Sequence, residues 1–426
     1  MPRALPQPEK SFVLTRLLLV VCMVAAGFFG WFTLKDWWAS RLASKSDPVP
    51  LRQAIAIEPH NAENYDLLGR YLLFVGQDPT SAAKAFRQAI SLNRFSSTYL
   101  LDLAQASYSL GNQGENLATL RKAIAVDPKT SDVAWNAGNF FLLQGDVSEA
   151  FRQFAVVLRN DAGLVDPVLS LCWRTVPRVS AIERILPPST DVHLAFVRLL
   201  LTQGELAPAH DAWARLIALH QEFDYRKAMF YVNGLIDARD VAGAQDAWGQ
   251  LISQSPELAR YPVSGNLVVN WNFAEDVLNG GFDWRYSPIP NVTVSLDPDD
   301  VRAGGKSLQV TYGNSGADSG VYQYVPVDPN TRYTLSAWVK SDDLRTANGP
   351  TIAALDAFDS TTLGSSRETA GSTPWHEIST DFQTGKATKL VLIRFPRDPG
   401  STAIKGRFWV NGVTLNRTQA TKPVLP

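Results

Sequence analysis

From Leu17 to Leu34 the chain reads LLLVVCMVAAGFFGWFTL, with no charge until Lys35. A helix needs roughly 18 to 20 such residues to cross the ~30 Å hydrocarbon core of a bilayer. Trp31, Trp37 and Trp38 crowd the far end, where indoles favour the headgroup boundary. Arg3, Lys10 and Arg16 precede the run, and Lys35, Arg41 and Lys45 follow it, so charge alone leaves the orientation open. A cleaved signal peptide is the rival reading, with Val24-Ala25-Ala26 as a poor cleavage site. The run continues well past Ala26, which suits an uncleaved single-pass anchor better. Between Leu51 and about Tyr261 apolar residues recur at helical spacing, with short Gly- or Pro-marked turns between the segments. After Pro262 the helical period gives way to short alternating segments rich in Gly, Ser, Thr, Asp and Asn. Strands are expected over 307–312, 321–325, 333–341, 352–358, 377–382, 389–395 and 407–415. Turn signals such as Gly304-Gly305, Asp328-Pro329-Asn330 and Asp398-Pro399-Gly400 separate them. The pattern predicts a multidomain chain, α then β. Its expected parts are a cytoplasmic N-terminus (1–16), a transmembrane anchor (17–34), a linker (35–50), a helical solenoid (51–262), a β-sandwich (263–416) and a tail (417–426).

The helical region is self-similar at a fixed period. Ser97 to Thr130, Ser131 to about Leu164 and Tyr225 to Leu258 align without gaps. Small residues recur at positions 8 and 20 (Ala104, Gly138, Ala150, Ala244), glycine at 15 (Gly111, Gly145), a large apolar residue at 24 (Phe154, Trp248) and proline at 32 (Pro128, Pro256). Ala62 to about Phe95 and Thr190 to about Phe223 are two further copies, and 165–188 forms a shortened, degenerate unit. The set resembles the tetratricopeptide repeat (TPR), a pair of antiparallel helices per unit stacked into an α-solenoid. Position 9 of the first helices should line the concave groove. It holds Arg70, Gln105, Asn139, Arg198 and Asn233, all polar. In the family this row often hydrogen-bonds an extended peptide, which implies a protein partner. An ordinary solvated face is the other reading of the same row.

The β-rich part resembles the jelly-roll carbohydrate-binding modules of the galactose-binding-like class. The resemblance rests on NLVVNWNFAEDVLNGGFDWRY as an Asn-rich first strand, on GGKSLQVTY and VYQYVPVDPNTRYTLSAWVKS as central strands, and on TPWHEISTDFQT, LVLIRFPR and GRFWVNGVTL as the last ones. Many such modules bind a polysaccharide, others protein. A sugar needs flat aromatic faces beside polar groups. Alternation puts Tyr333, Leu335, Ala337 and Val339 on one face of their strand and Trp338 on the other, among polar neighbours. Tyr322 and Tyr324 share a face opposite Gln323, while Trp284 and Tyr286 follow a Gly-rich loop at the rim. These five aromatics are the candidate ligand contacts; Trp375 and Trp409 are expected in the core. Many family members carry an acidic residue at the position of Asn411 that helps hold a structural calcium. Asn411 keeps an oxygen ligand but lacks the charge, and Glu275 and Asp276 are further candidate ligands. No other cofactor is expected.

Charge and composition narrow the picture further. Forty Lys and Arg against forty-one Asp and Glu leave a net charge of −1, which argues against nucleic-acid binding by bulk charge. Two cysteines, Cys22 in the apolar run and Cys172, exclude a disulfide framework. No phosphate-binding loop, nucleophile elbow or zinc-protease motif occurs, so no enzyme is expected. The order anchor, solenoid, sandwich points to a scaffold of the inner membrane with its bulk periplasmic. Its expected role is accessory to bacterial exopolysaccharide or surface-glycan assembly, with a polysaccharide and an envelope protein as partners. The first alternative is a purely protein-binding envelope scaffold, whose sandwich docks another subunit. The second is an envelope enzyme with carboxylates clustered in one pocket.

Overall fold

A computed structural model describes residues 10–45, 47–263, 265–397 and 403–418. Arg3, the Asp398-Pro399-Gly400 turn and the tail from 419 on lie outside the described residues. The chain divides into two compact units, 1–187 and 188–426, so the last two repeats are grouped with the sandwich.

In the first unit, helix α1 (Lys10–Ala43) contains the apolar run. Its stretch Thr15–Ala43 contains an 18-residue window of mean hydropathy 2.3, long and apolar enough to cross a membrane. The expected linker is largely helical, because α1 continues to Ala43 and α2 (Pro48–Ile57) follows at once. Ala39 and Ala43 of α1 are buried with Leu51 and Ala54 of α2, and Leu67, Leu68 and Tyr71 close over that cluster. Three helix pairs follow: α3 (Ala62–Phe74) with α4 (Pro79–Leu92), α5 (Ser97–Ser109) with α6 (Gln113–Val126), and α7 (Ser131–Leu143) with α8 (Val147–Asn160). Asn61, Asp78, Ser96, Asn112 and Asp146 each cap the next helix through a side-chain oxygen. Gly111 and Gly145 stand at φ of +71° and +79° in the turn between paired helices, a conformation glycine adopts without strain. The degenerate unit becomes α9 (Val165–Thr175) and the single turn α10 (Val179–Glu183).

The second unit starts with α11 (Thr190–Thr202) and α12 (Leu206–Ala218), then α13 (Met229–Asp237) and α14 (Val241–Gln254). Two antiparallel sheets follow. One has the order β1 (Val292–Asp297), β2 (Ser307–Ser315), β9 (Ile404–Arg417), β4 (Arg332–Arg345) and β7 (Gly371–Gln383). The other has the order β3 (Tyr322–Pro326), β8 (Leu390–Arg394), β5 (Ala353–Asp356) and β6 (Thr362–Ser365). Alternation in β4 buries Tyr333, Leu335, Ala337 and Val339 completely, against Leu308, Val310, Phe408 and Val410. The expected Asn-rich first strand is irregular instead. Asn266 and Gln323 stand in for part of its ladder, beside backbone bonds from Leu267 N to Leu415 and from Val413 N to Trp271: Gln323, fully buried, takes the Val269 N–H at 3.2 Å and gives to its carbonyl at 2.8 Å. Asn266 likewise accepts from Leu415 N and donates to the Val413 carbonyl.

Candidate functional site

The two outer faces of the sandwich differ in what they leave open. On the five-stranded sheet, Trp338 points outward as alternation requires, but the Arg302 guanidinium sits 4.3 Å above its ring. Trp409 is buried as expected, but on the outward side of the sheet: Phe408 and Val410, on either side of it, point into the sandwich core. Lys340 and Arg407 each lie 5.2 Å from the Trp409 ring, and its Nε1 donates to Asp297 at 2.9 Å. That donation holds the Asp297 carboxyl below its usual range. Trp375 is half-buried and spends its Nε1 on Asp300, itself paired with Lys340. A cavity of about 400 Å³ lies beside these groups. Of its lining groups Asp297 accepts from Trp409, Asp300 is paired with Lys340 and Asp342 with Arg407.

The four-stranded sheet offers a different surface. Tyr322 and Tyr324, two apart on β3, both face outward and are half-buried, with ring centroids 5.6 Å apart at 77°. Tyr322 pairs across to Arg394 on β8, which pairs with Ala353 on β5, and Tyr324 stands opposite Leu392 and then Leu355. Arg394 is ion-paired with Asp318. Arg285 lies 5.1 Å from the Tyr324 ring, and burial raises the Tyr324 phenol above its ordinary value. Aromatic faces with guanidinium and carboxylate groups at their edges suit a ligand with both apolar faces and hydroxyls. The sequence reading singled out the two tyrosines and missed Arg285, Arg394 and Asp318. Only the outward parity that Arg394 shares with Leu392 in LVLIRF could have revealed it.

Trp284 is not a rim residue. It is fully buried, donates its Nε1 to the Asn270 carbonyl at 3.2 Å, and packs on Phe273 and Phe395. The correction has a simple cause: the irregular opening segment needs a large apolar anchor under the sheets. Tyr286 is half-buried and packs against the same core.

The polar row of the repeats is in part spoken for. In the first unit, Arg70 contacts Asp66 at 3.0 Å and Asp102 at 2.8 Å, tying one repeat to the next. Burial, with Asp102 nearby, pushes the Asp66 carboxyl up to about 7. Gln105 is half-buried, and Asn139 donates to the Trp135 carbonyl of its own helix. In the second unit, Arg198 is exposed above the Phe230 ring at 4.8 Å. Asn233 is engaged within the chain. Its Oδ1 accepts from Gly281 N at 2.9 Å and from Arg285 at 2.7 Å, so it holds the sandwich's opening loop.

Asn411 and Glu275, the candidate calcium ligands, have different surroundings. The Asn411 Oδ1 accepts from Ala303 N at 2.6 Å, and its Nδ2 faces the carbonyls of Lys306, Gly304 and Asn272 at 2.7, 3.2 and 3.5 Å. Glu275 lines a cavity of about 720 Å³ together with Arg226, Arg260 and Lys306, and Asp276 is paired with Lys306. Calcium takes several convergent oxygens, from carboxylates, carbonyls and water. Among the described residues no three His, Cys, Asp or Glu side chains converge.

Comparison with known proteins places these features. The model of the carbohydrate binding domain family matches residues 265–401, and that of the tetratricopeptide repeat matches 67–125. No curated protein matches. Among solved structures, one described as "CBM4 structure and function" is 18% identical, covers 35% of this chain and 99% of its own, with a TM-score of 0.28. The xylanase 10B modules CBM22-1–GH10 of Clostridium thermocellum, complexed with xylohexaose, are 18% identical over 37% of this chain and 30% of theirs, at TM-score 0.26. PilF of Pseudomonas aeruginosa is 19% identical over 53% of this chain and 91% of its own, at TM-score 0.25. By the two family matches, the chain joins tetratricopeptide repeats to a C-terminal domain of the carbohydrate-binding-module type.

Proposed function

We propose that this chain is a membrane-anchored, non-catalytic binding protein that holds a glycan on the outer face of its four-stranded sheet. The single observation that carries this reading is the outward Tyr322–Tyr324 pair, edged by Arg285, Arg394 and Asp318. The apolar face of a pyranose would rest on a phenol ring while the charged groups take its hydroxyls. The repeats would hold an envelope protein, and α1 would be the single-pass anchor in the inner membrane, with the bulk periplasmic. Together these parts suit an accessory to exopolysaccharide or surface-glycan assembly.

A second reading, a purely protein-binding scaffold, draws on a separate observation. Arg239, just after α13, lies 5.2 Å from the Phe358 ring beyond β5, and Asn233 holds Arg285. This side of the sandwich already makes protein contacts. A glycan array probed with the full chain distinguishes the two. Tyr322→Ala and Tyr324→Ala should each weaken retention by about tenfold or more, whereas Trp338→Ala on the other sheet should leave it intact. A folded protein that retains no glycan would shift the assignment to the scaffold.

A further inference from the structure

Asn411 is fully buried on β9, opposite Trp338, where the β4–β9 register shifts. Its amide meets two loops at once. One supplies the Asn272 carbonyl; the other supplies Ala303 N–H and the carbonyls of Gly304 and Lys306. The Ala303 N–H fixes the orientation, because exchanging the amide's oxygen and nitrogen would set donor against donor. The loops also touch directly. Lys306 N donates to the Asn272 carbonyl at 3.1 Å, and a Cβ on Gly305 would fall 2.4 Å from that same oxygen.

Three backbone carbonyls turned toward one point repel each other unless a positive group sits between them. A carboxylate at 411 would add a fourth negative oxygen and require a cation there. The amide nitrogen instead brings two N–H dipoles and no formal charge. The surroundings agree: Lys306 and Arg302 follow in the same loop, and Lys306 is paired with Asp276. We propose that the Asn411 amide replaces a bound cation, so that the loop at 297–306 is locked onto the opening segment of the sandwich without calcium.

The proposal is tested on the full chain in detergent, by following thermal unfolding with calcium in excess or with EGTA. The wild-type transition should be the same in both, and calorimetric titration with calcium chloride should show no binding to the sandwich. Asn411→Asp should unfold earlier in EGTA and recover in calcium, whereas Asn411→Ala should unfold earlier in both. A calcium-dependent shift in the wild-type chain would overturn the proposal, whatever the variants do. An Asn411→Asp variant indifferent to calcium would overturn it too, since the carbonyls would then be no cation cradle.

Discussion

Gly69 and Gly138 each face an aromatic ring across their repeat: a Cβ would fall 2.5 Å from Phe86 in one case and 2.4 Å from Phe154 in the other. Overpacking of this kind costs about 1–3 kcal/mol, and the better helix propensity of alanine returns at most about 1. Gly138→Ala should therefore lower the stability of the first unit, seen as an earlier loss of helical circular dichroism on heating. Asp283 makes a different prediction. Burial pushes its carboxyl from 3.8 up to about 7. Below about pH 4 it is protonated in both folded and unfolded chains. As pH rises toward 7 the unfolded chain ionises first, so stability is lost across that window and levels off above it. Asp283→Asn keeps an oxygen for the Leu278 N–H and should flatten the slope, as urea midpoints on either side of the window would show. The candidate site was legible at this scale where strand parity decides. Tyr322, Tyr324 and Trp338 all point outward as alternation requires. Trp284 was not legible, because it precedes any regular strand and its burial depends on Phe273 in the same irregular segment and on Phe395 far along the chain.

Among the elements, the repeat helices were the easiest to read, because position-by-position spacing marks their starts: Ala62, Ser97, Ser131 and Thr190 each open a helix. The long strand β4 was equally plain from its alternation. Strands β1 and β6 were missed: β1 alternates as VTVSLD but is a short edge strand with every residue half-buried or exposed, and β6 is four residues long. The opening segment, read as a strand, takes part of its hydrogen bonding from side chains, which no periodicity encodes. That substitution is testable. Gln323→Ala strips the partners from the buried Val269 N–H and carbonyl, and an unsatisfied buried polar group costs about 1–3 kcal/mol. Amide exchange at Val269 should accelerate, while exchange in the middle of β4 should follow only the global change.

For the whole molecule, the composition change at Pro262 is a boundary in sequence that the packing does not respect. Phe282 is buried edge-on against Trp248 of α14, with centroids 6.1 Å apart at 89°. Gly281, at φ +59°, leaves no room there, since a Cβ would stand 2.3 Å from the Trp248 ring. Asn233 of α13 fastens the same loop and orients Arg285 beside Tyr324. Cutting the chain at 263 would remove these supports together, whereas cutting at 188 would keep them. Uncovering one large aromatic loses about 1.5–3 kcal/mol, or about 3–12 °C for fragments of this size. Residues 263–426 should therefore melt below residues 188–426 by about that margin in parallel calorimetric scans. Equal melting temperatures would mean that the final repeats merely lie against the sandwich. A lower one, rescued by restoring 188–262, would show that the repeats complete the domain and set Arg285 at the edge of the tyrosine face.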